Sequence, residues 1–322
     1  MKVLVTGAGG MTGRAVARAL RDRGDEVTVL QRRPSGLSGV REVLADVTDE
    51  AGVRDAVTGQ DAVLHAAAKV GVVGTAAEFE RVNVAGTATV IDAVRRAAVP
   101  RLVHVSSPSV AHTGGSLVGV DAGRADPTHA RSPYARTKAT AERAVLAADG
   151  PDLAVLAVRP HLIWGAADTQ LVAPILERAR AGRLPLIAGG TALIDTLYVD
   201  NAVSALVAAV DACGPVHGEA LVVTNGEPRP VGEILARICQ AAGVPGPRRR
   251  IPLAVAATVG SIVETGWRVA RRPGIPPMTR FLAEQLGTAH WFDQRRTRQA
   301  LRWSPAVSLD EGFAALAADL GR

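Results

Sequence analysis

The stretch that most narrows what this chain can become lies in its first twenty residues. Val3-Leu4-Val5 is a short apolar run, Thr6-Gly7-Ala8-Gly9-Gly10-Met11-Thr12-Gly13 follows, and Arg14 to Leu20 has helical apolar spacing. Gly7, Gly10 and Gly13 keep a GxxGxxG spacing between a first strand and a first helix. Glycines so placed permit a tight turn, close approach of the backbone to a pyrophosphate, and close packing of helix on strand. The helix N-terminus beyond them presents unpaired N–H groups to the phosphates. A chain that begins this way is predicted to build a parallel α/β sheet around a dinucleotide.

The rest of the first half continues the alternation. A second strand, Glu26 to Leu30, runs into Gln31-Arg32-Arg33. An acidic residue there would take the ribose hydroxyls of NAD, whereas arginine suits a 2′-phosphate, so NADP(H) is favoured with NAD(H) the alternative. Val43 to Val47 reads as a third strand, placing Asp46 and Val47 against the adenine. Asp61 to His65 is a fourth, ending in Ala66-Ala67-Ala68, whose small side chains leave room for a cofactor; the loop Lys69 to Gly74 covers the site. Phe79 to Ala98 reads as one long helix carrying Asn83. Leu102 to Val105 is a fifth strand, delivering Ser106-Ser107 to the carboxyl edge where open α/β sheets bind ligands.

A sixth strand, Leu153 to Val158, leads into Arg159-Pro160-His161-Leu162-Ile163-Trp164-Gly165, after which the rhythm weakens. Asp168 to Arg183 and Ala202 to Val210 read as helices, Glu219 to Thr224 as a strand, and the remainder as helical segments with Pro- and Arg-rich joints. The expected fold is α/β: a doubly wound parallel sheet with a smaller, discontinuous C-terminal α+β unit. Residues 1–165 and about 192–224 form the dinucleotide-binding domain, and about 166–191 with 225–322 the substrate-binding one.

Composition removes several function classes. The net charge of +6 on 322 residues comes from scattered arginines, and aromatics are only 3%, so there is no stacking platform for nucleic acid. Cys213 and Cys239 make neither a disulfide framework nor a metal-ligand spacing. No apolar run reaches the ~18 residues of a membrane span. The longest, Ile251 to Val263, reads as a buried helix, with membrane-surface contact as the lesser alternative. Met1 runs straight into a strand, leaving no signal peptide, so a cytoplasmic protein is expected.

Chemistry enters at Ser132-Pro133-Tyr134-Ala135-Arg136-Thr137-Lys138. On a helix Tyr134 and Lys138 share a face. A cation beside a phenol favours the phenolate and eases proton exchange near neutral pH. Lys2, Lys69 and Lys138 are the only lysines, so one placed here is selected for its compact ammonium.

TGAGGMTG at Thr6 to Gly13, Ser107, Tyr134-x-x-x-Lys138 and Arg159-Pro160, in this order, resemble the extended short-chain dehydrogenase/reductases, which have a Rossmann fold. Within them Ala67 to Gly74, Ser106 to Val110, Arg159 to Gly165, Tyr198 to Asn201, Pro277 to Arg280 and Ser304-Pro305 resemble the 3β-hydroxysteroid dehydrogenase group. That group includes sterol-4α-carboxylate 3-dehydrogenases and 2-alkyl-3-oxoalkanoate reductases.

The resemblance implies Tyr134 as general acid/base, Lys138 as holder of the nicotinamide ribose and depressor of the tyrosine pKa, and Ser107 as donor to the reacting oxygen. It implies a dinucleotide set of Thr6, Gly7, Gly9, Gly10, Met11, Thr12, Gly13, Gln31, Arg32, Arg33, Asp46, Val47, Ala66, Ala67, Ala68, Lys69, Asn83, Pro160, His161 and Ile163, with Tyr134 and Lys138. No metal is expected. The implied reaction interconverts a secondary alcohol and a ketone on a hydrophobic 3-oxo/3-hydroxy substrate, in a homodimer. An NDP-sugar epimerase shares the scaffold and is the alternative. A dehydratase is disfavoured because Ser107 is followed by Pro108-Ser109 rather than an Asp-Glu pair. A non-catalytic dinucleotide binder would lack the tyrosine or lysine that this chain keeps. Arg183 and Arg280 are candidates to meet a substrate carboxylate.

Overall fold

The computed structural model describes residues 1–71, 74–269 and 279–321. Val72 and Val73 of the covering loop, and Pro277-Met278 of the late segment, lie outside the described residues. In chain order the first half runs β1 (Lys2–Thr6), α1 (Met11–Asp22), β2 (Glu26–Gln31), β3 (Arg41–Leu44), α2 (Glu50–Val57), β4 (Ala62–His65), α3 (Ala76–Phe79), α4 (Gly86–Arg96), β5 (Arg101–Val105), β6 (Leu117–Val120), α5 (Pro133–Leu146) and β7 (Ala154–Pro160). The strand Glu219–Val223 joins six of these in a seven-stranded sheet, ordered Glu219–Val223, β7, β5, β4, β1, β2, β3. Every pairing in it is parallel.

Helices cover both faces, which is why the strands read as near-continuous apolar runs. Val3, Val5, Val27, Val29 and Leu64 pack towards α1 and the helix Val199–Ala212. Leu4, Leu30, Val63 and Leu102 pack on the other face, towards α2 and α4. Strand order reverses direction between β1 and β4, where Thr6 stands beside His65 in register. A crevice for ligand opens at such a switch point.

Several element bounds differ from expectation, each for a local reason. The third strand stops at Leu44 because the Asp46 carboxylate accepts from Thr48 N at 3.1 Å and turns the chain. The Asp168 helix begins only at Val172, since the Asp168 carboxylate takes the N–H groups of Gln170, Leu171 and Val172. Phe79 to Ala98 is helical as read, but between α3 and α4 it widens to a π turn over Glu80–Ala85.

The second lobe is built around a four-stranded sheet ordered Arg229–Pro230, Leu193–Ile194, His290–Phe292, β6. β6 thus leaves the 1–165 stretch to pair with His290–Phe292. Trp164, fully buried, stacks on Phe313 at 4.6 Å between ring centres and anchors a core with Ile175, Ile234 and Ile238. The apolar run from Ile251 does form a helix, Leu253–Val269, but it is not buried: Val255, Val259 and Ile262 are 50%, 47% and 66% exposed. Its Ala256–Gly260 side is covered, where a side chain on Gly260 would meet Thr279 backbone at 2.6 Å. Both cysteines are free and buried. Among the described residues no helix is long and apolar enough to cross a membrane.

Candidate active site

The glycine turn has the geometry that its spacing predicts. Gly7 has φ +78°, and a Cβ there would lie 2.7 Å from the Ala67 backbone. One on Gly13 would lie 2.5 Å from Gly7 O, so α1 approaches β1 more closely than any side chain allows. Gly10 N donates to Gly7 O at 3.0 Å, and α1 starts at Met11 with no side-chain cap and no acidic residue in its first turn. Gly9 and Gly10 are exposed. An uncapped helix N-terminus beneath two bare glycines fits a pyrophosphate.

At the end of β2, Gln31 is buried while Arg32 and Arg33 are exposed. The Glu42 carboxylate can only accept, so it draws Gln31 Nε2 to 2.8 Å and turns Oε1 towards Gly9, where it is buried and unpartnered. Burial pushes the Asp46 carboxyl up, but the hydroxyl and N–H of Thr48, with Arg81 and Arg32 nearby, outweigh it and hold the group below its usual range. Val47 is buried against Gly86.

Beyond β4, hydrogen bonds tie the glycine turn to α5. Ala67 N donates to Thr6 Oγ1 at 3.1 Å, and Thr6 Oγ1 lies 2.8 Å from His65 Nδ1. Thr87 Oγ1 donates to Asn83 O at 2.6 Å, so it accepts from His65 Nε2 at 3.0 Å, and Nδ1 accepts from Thr6. Asn83 Oδ1 accepts from Lys69 N at 2.7 Å, while Nδ2 donates to Lys69 O at 3.1 Å and to Thr137 Oγ1 at 3.0 Å. Both amide hydrogens are therefore committed, and Asn83 is 1% exposed. So placed, Asn83 holds the loop after β4 against α5. Ala66 and Ala68 flank Ala67 half-buried, and Lys69 Nζ pairs with Glu78 at 3.5 Å.

Helix α5 starts where its sequence dictates. Ser132 Oγ accepts from Ala135 N at 3.1 Å, and Pro133 occupies the first helical position, where its missing N–H costs nothing. Tyr134 is half-buried on the first turn, and Lys138 lies one turn on, 2% exposed. Ser107 sits half-buried at the head of the turn Pro108–Ala111, its Oγ 3.0 Å from Ser109 Oγ. Burial raises the Tyr134 pKa above the ordinary phenol value, and the Ser107 hydroxyl works against that rise.

The Lys138 ammonium donates to Val105 O at 2.6 Å and faces His104 Nε2 at 3.1 Å. Burial brings Lys138 down to about 8, and the Glu142 carboxylate one turn further opposes that fall. Glu142 is paired in turn with Arg159 of β7 through Nε at 2.8 Å, both side chains being at most 1% exposed. Arg159 also donates to the carbonyls of Ala122 and Gly123.

Past β7, Pro160 ends the strand and the buried His161 donates from Nδ1 to Asp195 O at 2.7 Å. Burial lowers His161 to about 4. His161 packs edge-on against His290 and Phe292, so the second lobe closes on it. Ile163 pairs with Leu197. Arg183 is exposed, and Arg280 donates through Nε to Glu284 at 2.9 Å, a carboxylate that Arg131 also engages.

The polar partners His65, His104, Thr137 and Glu142 escaped the sequence reading. Two of them carried a signal: His65 and His104 are histidines within otherwise apolar strands.

The chain was compared with known proteins. The family model described as NAD dependent epimerase/dehydratase family matches residues 3–224. The 2-alkyl-3-oxoalkanoate reductase of Stenotrophomonas maltophilia (strain K279a) is 41% identical over 99% of each chain. The decarboxylating sterol-4-alpha-carboxylate 3-dehydrogenase of Homo sapiens is 32% identical over 96% of this chain and 85% of its own. The solved structure of MoeE5 in complex with UDP-glucose and NAD superposes with a TM-score of 0.77 at 25% identity, covering 100% of this chain and 99% of that one. With the sheet, the glycine turn and these full-length likenesses together, the chain belongs to the NAD dependent epimerase/dehydratase family and is an extended short-chain dehydrogenase/reductase, an oxidoreductase of alcohol and keto groups.

Proposed function

We propose that this enzyme reduces the ketone of a hydrophobic 3-oxo substrate, of the 2-alkyl-3-oxoalkanoate or 3-ketosteroid type, with NADP(H) favoured over NAD(H). One observation carries the reading: Ser107, Tyr134 and Lys138 stand at the carboxyl edge of β5 in a chain 41% identical, end to end, to a 2-alkyl-3-oxoalkanoate reductase. The exposed Arg32 and Arg33 at the end of β2 support the choice of a 2′-phosphate. Residues 166–191 and 225–322 take the substrate in this reading.

The dinucleotide, when bound, supplies the hydride for the carbonyl carbon. Tyr134 Oη gives its proton to the substrate oxygen; a phenol raised by burial is fully protonated at neutral pH and ready to donate. The Ser107 hydroxyl donates to the same oxygen and stabilises the charge developing there. Lys138 places a buried cation behind this pair, and the uncapped start of α1 holds the pyrophosphate.

A screen of hydrophobic 3-keto acids, 3-ketosteroids and UDP-sugars, followed by NADPH and NADH absorbance, tests the proposal. NADPH oxidation with a 3-oxo compound is expected, with Tyr134→Phe slower by about 10²–10⁴-fold. Epimerisation of a UDP-sugar without net cofactor turnover would overturn it, as would full activity in Tyr134→Phe.

A further inference from the structure

His104 is fully buried and hydrogen-bonded to the candidate catalytic lysine, and the reaction itself leaves it without a role. It lies on β5, 0% exposed, facing α4 and α5 with Leu102. Its Nε2 is 3.1 Å from Lys138 Nζ, and its Nδ1 is buried without a partner. An ammonium has three hydrogens and no lone pair, so Nε2 is the acceptor and the ring proton sits on Nδ1. An orphaned buried N–H is rare in folded proteins and asks for a reason.

The neighbours do not supply one. The His65 ring on β4, centred 5.3 Å away, spends both nitrogens on Thr6 and Thr87. Glu142 on α5 is taken by Arg159 of β7, and Tyr134 on α5 is turned to Ser107. Among the described residues, Lys138 alone hydrogen-bonds the His104 side chain. With Val105 O at 2.6 Å, β5 then holds two of the three ammonium hydrogens and leaves one for the ligand side.

We propose that His104 is a positioning residue for Lys138: as a neutral, Nδ1-protonated imidazole it accepts one ammonium hydrogen, fixes Nζ against β5 and keeps the buried lysine charged. The proposal rests on the reading of Tyr134 and Lys138 as the catalytic pair. A protonated His104 would set a second cation against Lys138, and burial holds the imidazole well below 6.5, which prevents this. Burial alone already brings Lys138 to about 8, so loss of the acceptor moves its titration into the working range.

The chain has three lysines, so ¹³C-lysine labelling of the full-length protein gives three Cε signals, and Lys138→Met assigns the buried one. With or without NADP(H), His104→Phe is expected to lower the Lys138 pKa by about one unit or more. The alkaline limb of kcat/KM moves with it. His104→Gln, whose Oε1 can stand in for Nε2, restores both.

In ¹⁵N-histidine-labelled wild-type protein at neutral pH, the His104 signal, assigned by its loss in His104→Gln, reports an unprotonated Nε2. An unmoved Lys138 titration in His104→Phe overturns the proposal. So does a proton on Nε2 in the wild type, a measurement that needs no acceptor-less variant to fold. Full turnover in Lys138→Met and Tyr134→Phe would instead refute the catalytic reading, while the lysine titration still reports on His104 independently.

Discussion

Mild acid should destabilise this protein through its buried histidines, above the pH at which ordinary carboxylates titrate. His65, His104, His161 and His290 are each at most 6% exposed, and burial depresses all four. In the folded chain His65 titrates at about 3, His161 at about 4 and His290 at about 2, against about 6.5 when unfolded. Because the folded values lie below the unfolded one, this stability is complete above about pH 6.5 and is lost as the pH falls towards them.

Taking the pH from about 7.5 to about 5.5 lets each unfolded imidazole bind most of a proton that the native ring refuses. That difference is worth about 1.4 kcal/mol per ring, or about 5 kcal/mol for the four. Asp195 runs the other way. Burial raises it to about 6, so native protonation returns about 1 kcal/mol over the same interval. The net loss of about 4 kcal/mol is a large share of a typical stability of about 5–15 kcal/mol. Urea unfolding followed by tryptophan fluorescence and circular dichroism should show the midpoint falling by about 1 M. Calorimetry should find about three protons taken up on unfolding near the lower pH. A midpoint shift below about 0.2 M would refute the argument, because it would mean these rings are protonated, or reach water, in the native state.

Further substitutions separate local from long-range causes. Gly13→Ala places a methyl 2.5 Å from Gly7 O, so the turn must move; a destabilisation of about 1–3 kcal/mol and at least tenfold weaker NADPH binding by titration are expected. Gly10→Ala meets nothing closer than 3.5 Å, so the melting temperature should hold while NADPH affinity falls if the phosphates pass over it. Arg159→Met strands the buried Glu142 carboxylate and should cost about 3–5 kcal/mol in urea titrations. Arg159→Met with Glu142→Leu should cost clearly less than the two singles combined; simple additivity would show that the pair is not coupled.

Much of the site was legible because its signals are short-range. The glycine spacing, the strand-end Ser107 and the i, i+4 placement of Tyr134 and Lys138 follow from backbone geometry over a few residues, and the structure places them at one sheet edge. Six of the seven first-half strands and the helix after the glycine turn were read for the same reason, since a sheet buried on both faces writes apolar runs into the sequence.

What the sequence could not disclose depends on partners far along the chain. Thr6 meets His65 across 59 residues, Asn83 meets Thr137 across 54, and Lys138 meets His104 across 34. Motif and spacing marked Asn83 and Lys138 as candidates; folding set their partners, Lys69 and Thr137 for the amide and Val105 and His104 for the ammonium. The exposed helix from Leu253 and the transfer of β6 to the second sheet were likewise decided by what packs beside them. By itself the sequence determined which candidate groups share a face or a strand end, because spacing along a helix or strand is fixed by covalent geometry. Only the tertiary structure decided their protonation and hydrogen bonding, because burial and distant donors set the free energy of a charge.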